Sequence, residues 1–317
     1  MRNTILLSLF CVTGLCTKAQ KQFEQIFENT PVLHGDSIVF PITLINAFPF
    51  ISGEVNGVKG KFMFDTGNRS AIDLNDNLVR LPEKKTSGKG IVGSGQSFVV
   101  NINDTIAEIK FNNGYTYRNL LKIKSANYDF LQNRITPDCI GYIGYDFFKG
   151  YLVKLDYLRR KIIFYKNTEQ RKSSKDFLKG EKVLSIIDFE IRKLPNHPLV
   201  NVRIGNVEIL GAFDTGQYGS LQVQDDAKKR LISQSLIIPA GKDGYENDLL
   251  TINNIIIGGK FKTQLKGVMS DTFEDTEPER RALRIAEPHL MNFGYRFLDQ
   301  YKTVWDYEGQ KIYILEK

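Results

Sequence analysis

The apolar positions of this chain fall into short runs broken by turn residues, the pattern of strands rather than long helices. Two such stretches, Ile51 to Phe64 and Leu199 to Phe213, lead into the same tetrapeptide, Phe-Asp-Thr-Gly. A short helix is expected after each. In the second stretch Asp225 is the expected N-cap, with Ala227, Leu231 and Ile232 on one face. Turns and strands follow, among them Asn253 to Gly259. Each stretch then ends in two strands, Tyr151 to Asp156 with Lys161 to Tyr165, and Tyr301 to Asp306 with Lys311 to Leu315. Each final pair is expected to close its own lobe.

The repetition extends beyond the tetrapeptide. Phe64-Asp65-Thr66-Gly67 recurs 149 positions later as Phe213-Asp214-Thr215-Gly216, and Phe48-Pro49-Phe50-Ile51 recurs loosely at the same offset as His197-Pro198-Leu199-Val200. The block beginning at Gly144 matches the block beginning at Gly294, with Asp156 paired to Asp306. Three blocks in one order at nearly constant spacing mean two copies of one folding unit, and the period is far too long for a solenoid. The expectation is an all-β, mainly β protein of two β-barrel lobes related by a pseudo-two-fold axis. Its expected divisions are a signal segment 1–19, a leader 20–37, a lobe 38–166, a polar linker 167–182 and a lobe 183–317. The leader reads as a pro-segment, an extra strand or a flexible lead-in.

Composition narrows the chemistry. Arg2, an apolar run from Ile5 to Leu15 and a small residue at Ala19 form an export signal. The run is too short to span a bilayer, so no stable membrane insertion is expected after cleavage, and a periplasmic or secreted location follows. A lipid anchor on Cys16 is the less favoured alternative, because Leu15 is a poor residue before such a cysteine. Removing Arg2 and Lys18 lowers the formal charge from +7 to +5. The basic clusters Arg159-Arg160-Lys161 and Arg280-Arg281 lack the density of a nucleic-acid surface, so no nucleic-acid partner is expected. Cys139 alone survives signal removal, and His34, His197 and His289 are scattered and read as ordinary loop or surface histidines. Neither a metal site nor a cofactor is expected. No G-x-S-x-G elbow occurs.

What remains are two carboxylates, Asp65 and Asp214, each delivered by an apolar strand into a Thr-Gly turn. A single D-T-G is most simply an Asx-type turn. Two in register, brought together by two-fold packing, make neighbouring carboxyls that cannot both ionise readily. The ionised member can take a proton from water while the protonated member donates to a carbonyl.

With Ile143-Gly144-Tyr145-Asp146-Phe147 and Phe293-Gly294-Tyr295-Arg296-Phe297 downstream, the paired motifs resemble the aspartic peptidase superfamily of pepsins and retropepsins. The short lobes without disulfides are most similar to its bacterial retropepsin-like members. The resemblance covers about residues 45 to 165 and 185 to 315. It implies Asp65 and Asp214 as catalytic residues, supported by Thr66, Gly67, Thr215 and Gly216, with Thr66 and Thr215 interlocking the turns. Gly144 and Gly294 would lie behind the turns. A flap hairpin is implied near Gly90, Gly93 and Gly95, with Gly244 in the second copy; an ordinary flexible hairpin is the alternative. Gly88, Gly90 and Gly93 also satisfy G-x-G-x-x-G, but no helix pattern follows, which argues against a dinucleotide site. Where the family often has Ser, Thr or Ala after D-T-G, this chain has Asn68 and Gln217, with Arg69 and Tyr218 next; these changes bear on the working pH. The resemblance implies a peptide or protein substrate and, with both turns in one chain, a monomer. The alternative is a non-catalytic relative that binds peptides or glycans.

Overall fold

The computed structural model describes residues 31–91 and 95–317. The signal segment, Cys16, residues 20–30 of the leader and Gly93 lie outside the described residues. The fold is mostly β, in two lobes of the pepsin-like kind. Among the described residues, a ten-stranded sheet belongs to the first lobe, a seven-stranded sheet to the second, and a six-stranded sheet joins them.

Each lobe begins its sheet with a tight hairpin. Phe48–Val55 pairs with Val58–Phe64 across Asn56-Gly57, both at positive φ, the chemistry of a two-residue turn that matches strand twist. In the second lobe Leu199–Ile204 pairs with Val207–Phe213 across Gly205-Asn206, with Gly205 at positive φ. The outgoing strand of each hairpin ends on an Asp. Burial drives its direction: Phe62 and Phe64 on one side, and Phe213 on the other, are fully buried in the aromatic cores.

The final strand pairs do not close separate lobes. Tyr151–Asp156 and Lys302–Asp306 are buried along their whole lengths. A strand covered on both faces belongs inside a sheet, and these two pair with each other, Val153 opposite Trp305. The shared sheet runs Ser37–Pro41, Lys161–Lys166, Tyr151–Asp156, Lys302–Asp306, Lys311–Leu315, Val183–Asp188. Segment 167–182 is fastened to it. It carries the helix Glu169–Ser174, capped by the Thr168 side chain, and Arg171 bonds both Asp36 and Asp176. Buried Glu181 pairs with Lys154 of one lobe at 2.6 Å and Lys302 of the other at 2.5 Å.

The expected helices need correction. After the first D-T-G the chain forms only a turn, where the amides of Leu78 and Val79 donate to the Asn75 carbonyl before Pro82 and the strand from Lys85. After the second, the helix Asp225–Ser233 forms, with Ala227 and Leu231 buried. Gln224 is its N-cap and Asp225 its first residue, while Ile232 faces solvent.

Candidate active site

Each Asp is held from behind by a second strand. Cys139–Ile143 runs parallel to Val58–Phe64, and the Asp65 amide donates to the Ile143 carbonyl at 2.9 Å. Leu290–Phe293 runs parallel to Val207–Phe213, and the Asp214 amide donates to Phe293 at 3.0 Å. Gly144 and Gly294 come next, and both back onto a turn. A Cβ on Gly144 would collide with the carbonyls of Asn68 and Ser70, and one on Gly294 with the Gln217 carbonyl. Only glycine permits that approach. The following amides, Tyr145 and Tyr295, donate to the Asn68 and Gln217 carbonyls at 2.8 and 3.0 Å.

The two turns meet across the lobes. The Thr66 amide donates to the Thr215 hydroxyl and the Thr215 amide to the Thr66 hydroxyl, both at 3.0 Å. The Thr215 hydroxyl donates in turn to the Phe64 carbonyl at 2.9 Å. Both threonines are buried, so each bond is made in a low-dielectric setting. The glycines bring the carboxyls together: a Cβ on Gly67 would strike the Asp214 carboxyl, and one on Gly216 the Asp65 carboxyl. The Gly67 amide donates to Oδ1 of both acids, at 2.8 Å to Asp65 and 2.9 Å to Asp214.

The pair is electrically uneven. Asp214 Oδ1 receives the Gly67 amide, the Gly216 amide at 2.8 Å and the Thr66 hydroxyl at 3.3 Å. Asp65 Oδ1 receives the amides of Gly67 and Asn68, the latter at 3.2 Å. Burial, then the Asp214 charge and the hydrogen bond between the carboxyls, push Asp65 well above the ordinary aspartate range, against the pull of its two amides. Asp65 is therefore held toward its protonated form.

Asn68 does not substitute for a hydroxyl beside these acids. Its amide side chain turns to Asp73 at 3.0 Å and its side-chain oxygen accepts from the Ser70 amide. Ser70 accepts from Lys124. On the other side Tyr218 stacks on Tyr295, with the Arg296 guanidinium over its ring.

The hairpin Lys85–Ile91 with Ser97–Asn103 carries Gly90 and runs up to Gly95. It connects to the site through rings: Phe98 packs edge-on against Tyr128, and Tyr128 against Tyr142, each at 5.1 Å. The Asp65 charge acts on Tyr142. Gly244 lies at the exposed tip of a hairpin whose turn is closed by Asp243 accepting from the amides of Tyr245 and Asn247. No described contact joins that tip to Asp214.

Three residues escaped the sequence reading. Asn196 is fully buried, and its side chain donates to the Thr66 and Gly67 carbonyls at 3.0 and 2.7 Å. His197, read as an ordinary loop histidine, instead bonds the Gly67 backbone and feels the Asp214 charge; burial pushes its pKa down. Its place in the loose Phe48-Pro49 repeat was the only available signal. Glu279, in the helix Phe273–Leu283, accepts from Asn292 at 2.9 Å. Burial above all, with the charges of Asp214 and Asp271, pushes its pKa up to about 7. Nothing in the sequence marks it. Among the described residues no cluster of three or more His, Cys, Asp or Glu is arranged to hold a metal ion, and no helix is long and apolar enough to cross a membrane.

This architecture is that of solved pepsin-like proteins. The chain is similar to an aspartic proteinase from Irpex lacteus, with 12% identity, a TM-score of 0.53, and coverage of 89% of this chain and 97% of that one. It is equally similar to basic 7S globulin from soybean, at 8% identity and TM-score 0.54, covering 88% and 95%. No protein-family model and no curated protein matches the sequence. The likeness is one of fold, shared by a protein named as a proteinase and another named as a globulin.

Proposed function

We propose that this chain is an exported aspartic endopeptidase acting on extended peptide or protein substrates, with Asp65 and Asp214 as its catalytic pair. The observation that carries this reading is the single Gly67 amide shared by both carboxyls, in turns locked by reciprocal threonine bonds. Protonated Asp65 donates to the carbonyl oxygen of the scissile bond. Ionised Asp214 takes a proton from the attacking water, whose oxygen adds to the carbonyl carbon. In the second half Asp214 gives that proton to the leaving nitrogen as the C–N bond breaks, and Asp65 recovers a proton from the gem-diol. Both acids end as they began, with no covalent intermediate. The export signal supports action in the cell envelope or outside the cell. Both turns lie in one chain, which supports a monomer.

A second reading, a relative that binds peptides or glycans without cleaving them, is supported by Asn68 turning away from Asp65 and by the likeness to a globulin. The test is incubation of the chain from Gln20 with a mixed peptide library from acid to neutral pH, with and without a pepstatin-type inhibitor. Cleavage is expected to fall by ~10³-fold or more in both Asp65→Asn and Asp214→Asn. Folded wild-type protein that cleaves nothing at any pH would favour the second reading.

A further inference from the structure

The Thr66–Gly67 peptide is the one whose N–H reaches both carboxyls, and its carbonyl is held from the other lobe. A trans peptide points its C=O away from its N–H. Asn196, on the far side, donates to that Thr66 carbonyl at 3.0 Å and to the next carbonyl, Gly67, at 2.7 Å. A hydrogen bond to the carbonyl polarises the peptide and strengthens its N–H as a donor. His197 adds a ring bond to Gly67, with its buried Nδ1 having no partner among the described residues.

Among the described residues the other lobe has no such arrangement. At the matching offset stand Ala47 and Phe48, which carry no side-chain donor. Correspondingly, Gly216, the counterpart of Gly67, bonds only its own lobe's Asp214. The braced peptide is the one that spans the pair. We infer that Asn196, assisted by His197, is a positioning residue for the carboxyl pair: it orients the Thr66–Gly67 peptide so that its one N–H bridges both acids. The inference rests on the peptidase reading for its catalytic meaning, but the bridged geometry exists whether or not the pair cleaves anything. The titratable groups acting with Asp214 are Asp65 in the facing turn, Glu279 on its helix, His197 in the preceding loop, and Tyr157 and Tyr307 after the two central strands.

The experiment uses the chain from Gln20 as wild type, Asn196→Ala and His197→Phe, the last copying the residue of the other lobe. Two readouts are taken: kcat and KM against pH, and carboxyl titration by NMR of protein carrying ¹³C-labelled Asp. For Asn196→Ala, kcat should fall roughly tenfold or more with KM within about a factor of two. The lower apparent pKa of the pair should rise, moving the acid limb of kcat to higher pH. His197→Phe should move that limb in the same direction by less, because it removes the ring bond to Gly67 and leaves both Asn196 bonds in place. Folded Asn196→Ala with unchanged carboxyl titration would overturn the proposal, as would a loss of melting temperature without a pH shift. If Asn196→Ala does not fold, the titration of His197→Phe decides by the same criterion. A wild type that cleaves nothing sinks the peptidase reading alone, since the NMR titration needs no turnover.

Discussion

Tyr142 and Asn292 hold the same place in the two lobes, two residues before the glycine that backs each turn, yet they build opposite walls. On the first side Tyr142, Tyr128 and Phe98 form a ladder of rings beside Asp65, set in an apolar cluster with Phe50 and Met63. On the second, Asn292 donates to Glu279, the neighbouring Arg280 bonds Gln222, and the carboxyl of Glu279 feels Asp214. The turns themselves match in their reciprocal threonine bonds and in the glycine behind each. Duplication has thus kept symmetry in the threonine lock between the copies and lost it in what packs beside each acid. The threonine lock is symmetric because each threonine serves both lobes; a wall serves one.

That contrast gives its sharpest test at the turn glycines. A Cβ on Gly67 or Gly216 would enter the space of the opposite carboxyl, so Gly67→Ala and Gly216→Ala should each cut peptide cleavage by about 100-fold or more. Comparable losses at both positions would show that the symmetry is functional. A mild effect at either one would mean that the pair does not need its present spacing. Steady-state kinetics on a common substrate measure this directly.

The turns were legible in the sequence because four identical residues recur there, and the backing glycines because Gly-Tyr-x-Phe recurs with them. The Tyr151–Asp156 and Lys302–Asp306 strands were legible too, the second starting one residue later than read. Their union in one sheet was not, since pairing between lobes depends on docking and leaves no local pattern. The helix expected after the first D-T-G failed for a local reason: Asn75 and Pro82 favour a turn where the second copy has the helix Asp225–Ser233. Asn196 was invisible because its partner, Thr66, lies far along the chain in the other lobe, and Glu279 because its bond runs from a helix to the separate strand that holds Asn292.

The unlike walls should respond differently to pH. Glu279 titrates at about 7 in the folded chain against an ordinary 4.5. A group raised on folding contributes stability that is fully present below its unfolded pKa and lost as pH rises through its folded one. Wild type should therefore lose stability between about pH 5 and pH 8, and Glu279→Gln should be spared. The variant is expected to match wild type at pH 4 and to exceed it by about 1–2 kcal/mol at pH 8 in denaturant unfolding. Tyr142→Phe, the matching change on the ring wall, should show no such trend, because that phenol stays neutral throughout. Parallel pH trends in the two variants would erase the distinction between the walls.

The smallest expected effect concerns the pair itself. Asp65 is also raised on folding, chiefly by burial and then by Asp214. By the same sign, its contribution to stability is present below pH 3.8 and is lost as pH climbs through its raised value. At neutral pH the folded chain must hold a proton there or crowd two charges, so Asp65→Asn should melt higher than wild type, by on the order of 2 °C. The gain should shrink as pH falls and vanish near pH 3, read by thermal melting at pH 3, 5 and 7. A site arranged for chemistry holds charge at a cost to the fold. A melting temperature that drops in Asp65→Asn at neutral pH would mean instead that the amides of Gly67 and Asn68 more than offset the crowding, making the pair a stabilising feature of the lobe interface.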